Sequence, residues 1–154
     1  MKRNKGIVRW SFIGAAIIAP LLGAAWIHHQ RDNFSCEIHS AIVDENRMLD
    51  VILDFSFNNG NGFYESAGEL IENGGSPQSV SNKIAFRYWR EDGSVILVSD
   101  ETNPLPTRHE TFRKYIPDFF QHRERGLRLQ ITPVNASSYI FTYGGAPVFY
   151  CSKS

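Results

Sequence analysis

The side chains of this 154-residue chain that could do chemistry are two cysteines, five histidines and a scatter of acidic pairs. Cys36 and Cys151 stand 115 positions apart, and neither has a second Cys or His at the spacing a metal site needs. His39 follows Cys36 by three residues, but one Cys and one His do not hold a metal. His28-His29 could bind a metal weakly and reads as a polar boundary, while His109 and His122 lie in charged, loop-like surroundings and read as solvated. Asp44-Glu45 and Asp100-Glu101 are carboxylate pairs of the sort that move protons in hydrolases. Both fall at strand ends, where turn residues belong. No Gly-x-Ser-x-Gly elbow, phosphate-cradling glycine loop or His-Glu-x-x-His motif occurs. Gly60-Asn61-Gly62 and Gly74-Gly75-Ser76-Pro77 read as turns, since neither opens a helix of useful length. Asn33-Phe34-Ser35 and Asn135-Ala136-Ser137 fit the glycosylation pattern, which matters only in a eukaryotic secretory pathway. The expectation is no enzyme, no cofactor and no metal.

What remains is the disulfide, and it depends on where the domain lives. Lys2, Arg3, Lys5 and Arg9 precede an uncharged run from Trp10 to Ile27, eighteen residues long. At about 1.5 Å per residue that run approaches the thickness of the hydrocarbon core. Trp10 and Trp26 mark its ends, where indole rings favour the bilayer interface. Basic residues on the leading side predict a cytoplasmic tail over 1–9, a transmembrane helix over 10–27, a juxtamembrane linker over 28–33 and an exported domain over 34–154. The rival is a cleaved signal peptide with Gly23-Ala24-Ala25 before the cut. Apolar character that continues through Trp26-Ile27 favours the uncleaved anchor, and Pro20 is tolerable within it. Either way the domain is exported, and two Cys in an exported chain predict a Cys36–Cys151 bond, with two free buried thiols as the rival. That bond would join the domain's first strand to its last and close a loop of 116 residues.

Charge agrees with this division. The four cations before residue 10 leave twelve Lys and Arg against sixteen Asp and Glu in the rest, a charge of −4. A mildly acidic domain has no basic surface for phosphates, so direct nucleic-acid binding is not expected. The basic tail suits an anionic inner leaflet, which makes the lipid bilayer an expected partner.

From Phe34 onward the pattern alternates as strands do. Val51, Leu53, Phe55 and Phe57 share one face, as do Ile84, Phe86 and Tyr88. Glu91-Asp92-Gly93-Ser94 is a hairpin signal leading into Val95-Ile96-Leu97-Val98. Leu127–Ile131, Tyr139–Tyr143 and Val148–Cys151 complete the series, with further strands expected at 36–43 and 63–71. Tyr115, Ile116, Phe119 and Phe120 have helical spacing instead, and Pro117 predicts a short helix beginning there. The expected fold is mainly β: seven or eight antiparallel strands and one short helix. A small lipocalin-like barrel is preferred to a sandwich. Phe55, Phe57, Phe86, Tyr88, Phe141 and Tyr143 are expected in its core, although an underfilled barrel could hold an apolar ligand.

Beyond these patterns, the chain resembles the FidL-like family of enterobacterial inner-membrane proteins. The likeness rests on Phe34-Ser35-Cys36, on Leu53-Asp54-Phe55-Ser56-Phe57 with the Asn-Gly-rich turn to Gly62-Phe63, on Ile84-Ala85-Phe86-Arg87-Tyr88, and on Pro147-Val148-Phe149-Tyr150-Cys151-Ser152. It covers nearly the whole chain. Where the family pattern has an Arg before the fourth strand, this chain has Asn82-Lys83. The resemblance implies a periplasmic companion of a membrane-anchored ToxR-type regulator, which it would stabilise or modulate. As the alternative, the domain would be a sensor for a small amphipathic ligand such as a bile salt, alone or with its partner.

Overall fold

The structure is a computed structural model that describes residues 4–44, 46–100 and 117–154. It divides into two compact units, Met1–Asn33 and Phe34–Ser154. In the first, helix α1 runs Asn4–Asp32. Its segment Arg9–Asp32, 24 residues with no buried residue among those described, is long and apolar enough to cross a membrane. At 1.5 Å per residue it is about 36 Å long. The helix passes through Pro20 and continues over 28–32, the stretch expected as a linker. His28-His29-Gln30-Arg31-Asp32 contains no Gly or Pro to end it. Asn33 ends it instead, its Nδ2 donating to the His29 carbonyl at 2.8 Å.

The second unit is a closed barrel of eight antiparallel strands, each paired with the next along the chain. They are β1 (Asn33–Asp44), β2 (Arg47–Asn58), β3 (Asn61–Glu72), β4 (Gln78–Glu91), β5 (Ser94–Ser99), β6 (Gly126–Asn135), β7 (Ser138–Tyr143) and β8 (Ala146–Lys153). Tight turns set the register. Between β2 and β3, Asn59 and Gly60 have φ of 46° and 86°, and between β4 and β5, Asp92 and Gly93 have 48° and 75°. Two successive positive φ values make the turn whose twist matches that of the strands, which Asn-Gly and Asp-Gly adopt most easily.

Alternation then fills the interior. Val51, Leu53, Phe55 and Phe57 of β2 are buried, as are Ile84, Phe86 and Tyr88 of β4 and Leu127 and Leu129 of β6. Phe57 stacks on Phe34 at 4.5 Å and meets Phe86 edge-on at 5.5 Å, while Phe55 meets Phe141 at 5.4 Å. Gly62 of β3 faces inward where a Cβ would collide with the Phe86 ring. Tyr143 departs from expectation: it is 46% exposed, because the pairing of β7 with β8 shifts register between Phe141 and Thr142.

The helix expected after Pro117 is a single 3-10 turn, Asp118–Phe120, with Tyr115 and Ile116 outside the described residues. Phe119 and Phe120 are both buried inside one end of the barrel. Phe120 lies 4.7 Å from Tyr64, and Phe119 lies 5.9 Å from Phe86. Ser99 fixes the segment that follows: its Oγ donates to the His122 carbonyl at 2.9 Å and accepts from the Arg125 N–H at 3.0 Å.

Candidate functional site

The two cysteines are brought together by the order of the strands. Cys36 near the start of β1 and Cys151 near the end of β8 form a disulfide with Cα atoms 5.4 Å apart, and both are fully buried. It fastens the seam where the barrel closes. That seam is short: β1 and β8 are in register at Cys36 opposite Lys153 and Glu37 opposite Ser152. A hydroxyl contact between Ser154 and Ser35, 2.9 Å, extends it by one more link. The β1–β8 register extends no further into β1 than Glu37 among the described residues, while Ala146–Ser152 of β8 is in register with β7. The ladder that closes the barrel is therefore the shortest of those between its described strands. A strand edge left outside a ladder accepts a strand from elsewhere.

The surface beside this seam has an unusual composition. No Asp, Glu, Lys, Arg or His occurs between Arg128 and Lys153, a span covering most of β6 and all of β7 and β8 up to Ser152. Outward-facing Val134, Tyr143, Val148 and Tyr150 are 43–54% exposed, and Val43 of β1 is 71% exposed. Depletion of charge with enrichment of tyrosine is the compositional mark of a buried protein interface. Tyr150 is held in place by donating its hydroxyl to Ser138 Oγ at 2.8 Å, and Ser138 in turn donates to Asn135 Oδ1 at 2.7 Å. The charge-free stretch was visible in the sequence, but it concerns the outer face of strands whose inner face sets the fold.

The remaining candidate residues are spread apart. Trp10 and Trp26 are 75% and 62% exposed on α1, and Arg9 opens its apolar segment. Lys5 falls within α1, while Lys2 and Arg3 lie outside the described residues. His39 contacts Glu37 at 2.7 Å on the outside of β1. Asp44 ends β1, and the Asp100 N–H donates to the Ala85 carbonyl at 2.9 Å. Their neighbours Glu45 and Glu101, like His109, lie outside the described residues. His122 is exposed after the 3-10 turn, with its backbone N–H bonded to Asp118. Asn135 of the second glycosylation triplet uses its side chain to accept from Ser137 and Ser138.

Among the described residues no three His, Cys, Asp or Glu side chains could share a metal ion, and no buried side-chain nitrogen or oxygen lacks a hydrogen bond. What the arrangement offers chemically is a disulfide beside an uncharged outer strand face.

The model of the family described as YqeJ C-terminal domain matches residues 33–151. The chain belongs to that family. The YqeJ C-terminal domain match begins at the first residue of β1 and ends on the second half-cystine, so the family's unit here is the barrel fastened by its disulfide. No curated protein matches the chain.

Proposed function

We propose that this chain is a single-pass protein of the bacterial inner membrane, with its N-terminus cytoplasmic and its barrel periplasmic. In this reading the barrel docks on a membrane-anchored ToxR-type winged-helix regulator and stabilises or modulates it. The observation that carries the proposal is the two-residue seam between β1 and β8, bordered by an uncharged outer face. A partner's periplasmic segment can lie against that face and pair with the strand edges. The apolar helix and the disulfide support export, since disulfides persist in oxidising compartments. The FidL-like resemblance supports the identity of the partner. Tethering both proteins to one bilayer raises their effective concentration, so a modest interface suffices.

The alternative, a small amphipathic ligand held inside the barrel, has less support. Phe55, Phe57, Phe86, Phe119, Phe120 and Phe141 fill the interior, so a ligand would have to displace the Phe119–Phe120 turn. Photo-crosslinking residues placed at Ala41 and Val148 are expected to capture the regulator's periplasmic segment, while one at Trp10 should not. A regulator whose level and activity are unchanged on deletion of this protein would rule the proposal out.

A further inference from the structure

Away from the seam, the outside of the barrel is divided by charge. On β2 and β3 the register places Asp54 directly opposite Glu65 and Asp50 directly opposite Glu69, with Ile52 opposite Ala67 between the two pairs. Ile52 is 39% exposed. Like charges directly opposite each other destabilise an antiparallel pair, so two such pairs in the lone barrel are a cost. On β4, β5 and β6 the outward cations Arg87 and Arg128 collect, with Glu91 at the end of β4. Trp89 stands opposite Ile96 and Ile96 opposite Arg128, while Arg87 stands opposite Val98 in the neighbouring row. Trp89 is 47% exposed, and its indole N–H donates to Glu91 at 3.4 Å. Arg128 Nε donates to Ser94 Oγ at 3.1 Å, which lays the guanidinium along β5. Lys83, bonded to Glu65, stands where the two faces meet.

The faces match in kind and in scale. Each has an apolar centre, Ile52 with Ala67 on one and Ile96 with Trp89 on the other; four carboxylates flank the first, with Lys83 paired to Glu65 at its edge, and Arg87 and Arg128 flank the second, with Glu91 at its edge. Asp50 and Asp54 stand four residues apart on one strand, about 13 Å. Arg87 and Arg128 stand two strands and two residues apart, about 12 Å. Trp and Arg are also the side chains that most often dominate binding energy at interfaces.

We infer that the barrel binds a second copy of this chain, the Arg87–Trp89–Arg128 face of one copy seating on the face of the next formed by Asp50, Asp54, Glu65 and Glu69. The contact is heterologous, so each copy keeps one face of either sign for a further neighbour. It uses neither the seam nor the uncharged β7–β8 face, so it is independent of the docking of a regulator. Partner cations relieve the opposed carboxylates; the Asp54 carboxyl is raised first by desolvation, then by Glu37 and, third, by Glu65 across the ladder.

The test uses the full-length chain in a neutral detergent, followed by sedimentation. The wild type is expected to form dimers and larger species at about 20 mM salt and to dissociate toward 0.5 M, as screened surface charges do. Arg87→Glu with Arg128→Glu, and separately Asp54→Lys with Glu65→Lys, should each weaken association at least tenfold. Mixing the two variants in equal amounts should restore it, since every contact in the mixture is again between opposite signs. Restoration also shows that both variants are folded. A wild type that is monomeric at low salt, or variants that associate as well as the wild type, would overturn the inference. Should a double variant not fold, Trp89→Ala takes its place with the same expected loss, and unchanged association there also overturns it. Monomers that bind phosphatidylglycerol nanodiscs through Arg87 and Arg128 would assign the basic face to lipid instead.

Discussion

Asp54 of β2 and Glu65 of β3 stand directly opposite each other on the outer face of the barrel, two carboxylates where a sheet ordinarily places opposite charges. The Asp54 carboxyl is held above its ordinary value of 3.8, first by partial desolvation and then by Glu37 and Glu65, with His39 acting the other way.

Stability should therefore respond to mild acid in an unusual direction. A carboxyl whose folded pKa is raised takes up its proton more readily in the folded state. Its contribution to stability is complete below 3.8 and is lost as pH rises through the raised value. The melting temperature should rise as pH falls through the weakly acidic range just above 3.8, until other carboxylates dominate. Asp54→Asn should remove part of that slope and stabilise the barrel at pH 7 by about 0.5 kcal/mol, as thermal melts across pH would show.

Removal of the disulfide should be costly. Cys36→Ser with Cys151→Ser opens a loop of 116 residues, for which loop-closure entropy gives about 4–5 kcal/mol. Urea denaturation of the oxidised wild type and the double variant measures this directly. Amide exchange should speed up first at Glu37 and Ser152, the ladder pair beside Cys36–Lys153 at that seam.

The turn that closes one end of the barrel is a packing element. Phe119→Ala removes a ring that is 1% exposed and leaves a void beside Phe86, at a cost of about 3 kcal/mol. A solvent-facing substitution, Gln130→Ala on β6, serves as control and should change stability by less than about 0.5 kcal/mol.

Orientation in the membrane can be tested by charge. A periplasm-dependent reporter fused after Ser154 should be active in the wild type. Replacing Lys2, Arg3, Lys5 and Arg9 together by Glu should sharply reduce its activity, because basic residues hold their end of a span in the cytoplasm.

Much of the barrel could be read from the residues because the signals that make it are local. Alternation placed Val51, Leu53, Phe55 and Phe57 inside, and Asp92-Gly93 gave the β4–β5 turn without reference to any distant element. The cysteine pair followed from counting. The seam could not be read, since the register of β1 against β8 joins residues more than a hundred positions apart and no local pattern sets it. Tyr143 obeyed its alternation in sequence and escaped it in space through a register shift two residues earlier. The opposed carboxylates are a middle case. Asp50 and Asp54, and Glu65 and Glu69, each repeat every four residues, but only the register imposed by Asn59-Gly60 brings the two sets face to face.

The order of the strands also dictates a sequence of events in biosynthesis. Neighbouring hairpins from β2 to β8 can zip as they emerge, whereas Cys36 appears early and its only intramolecular mate, Cys151, appears almost last. Until then Cys36 is a waiting thiol. Within one molecule no wrong pairing exists for an oxidase to trap, so oxidation acts as a latch thrown once, when assembly is finished.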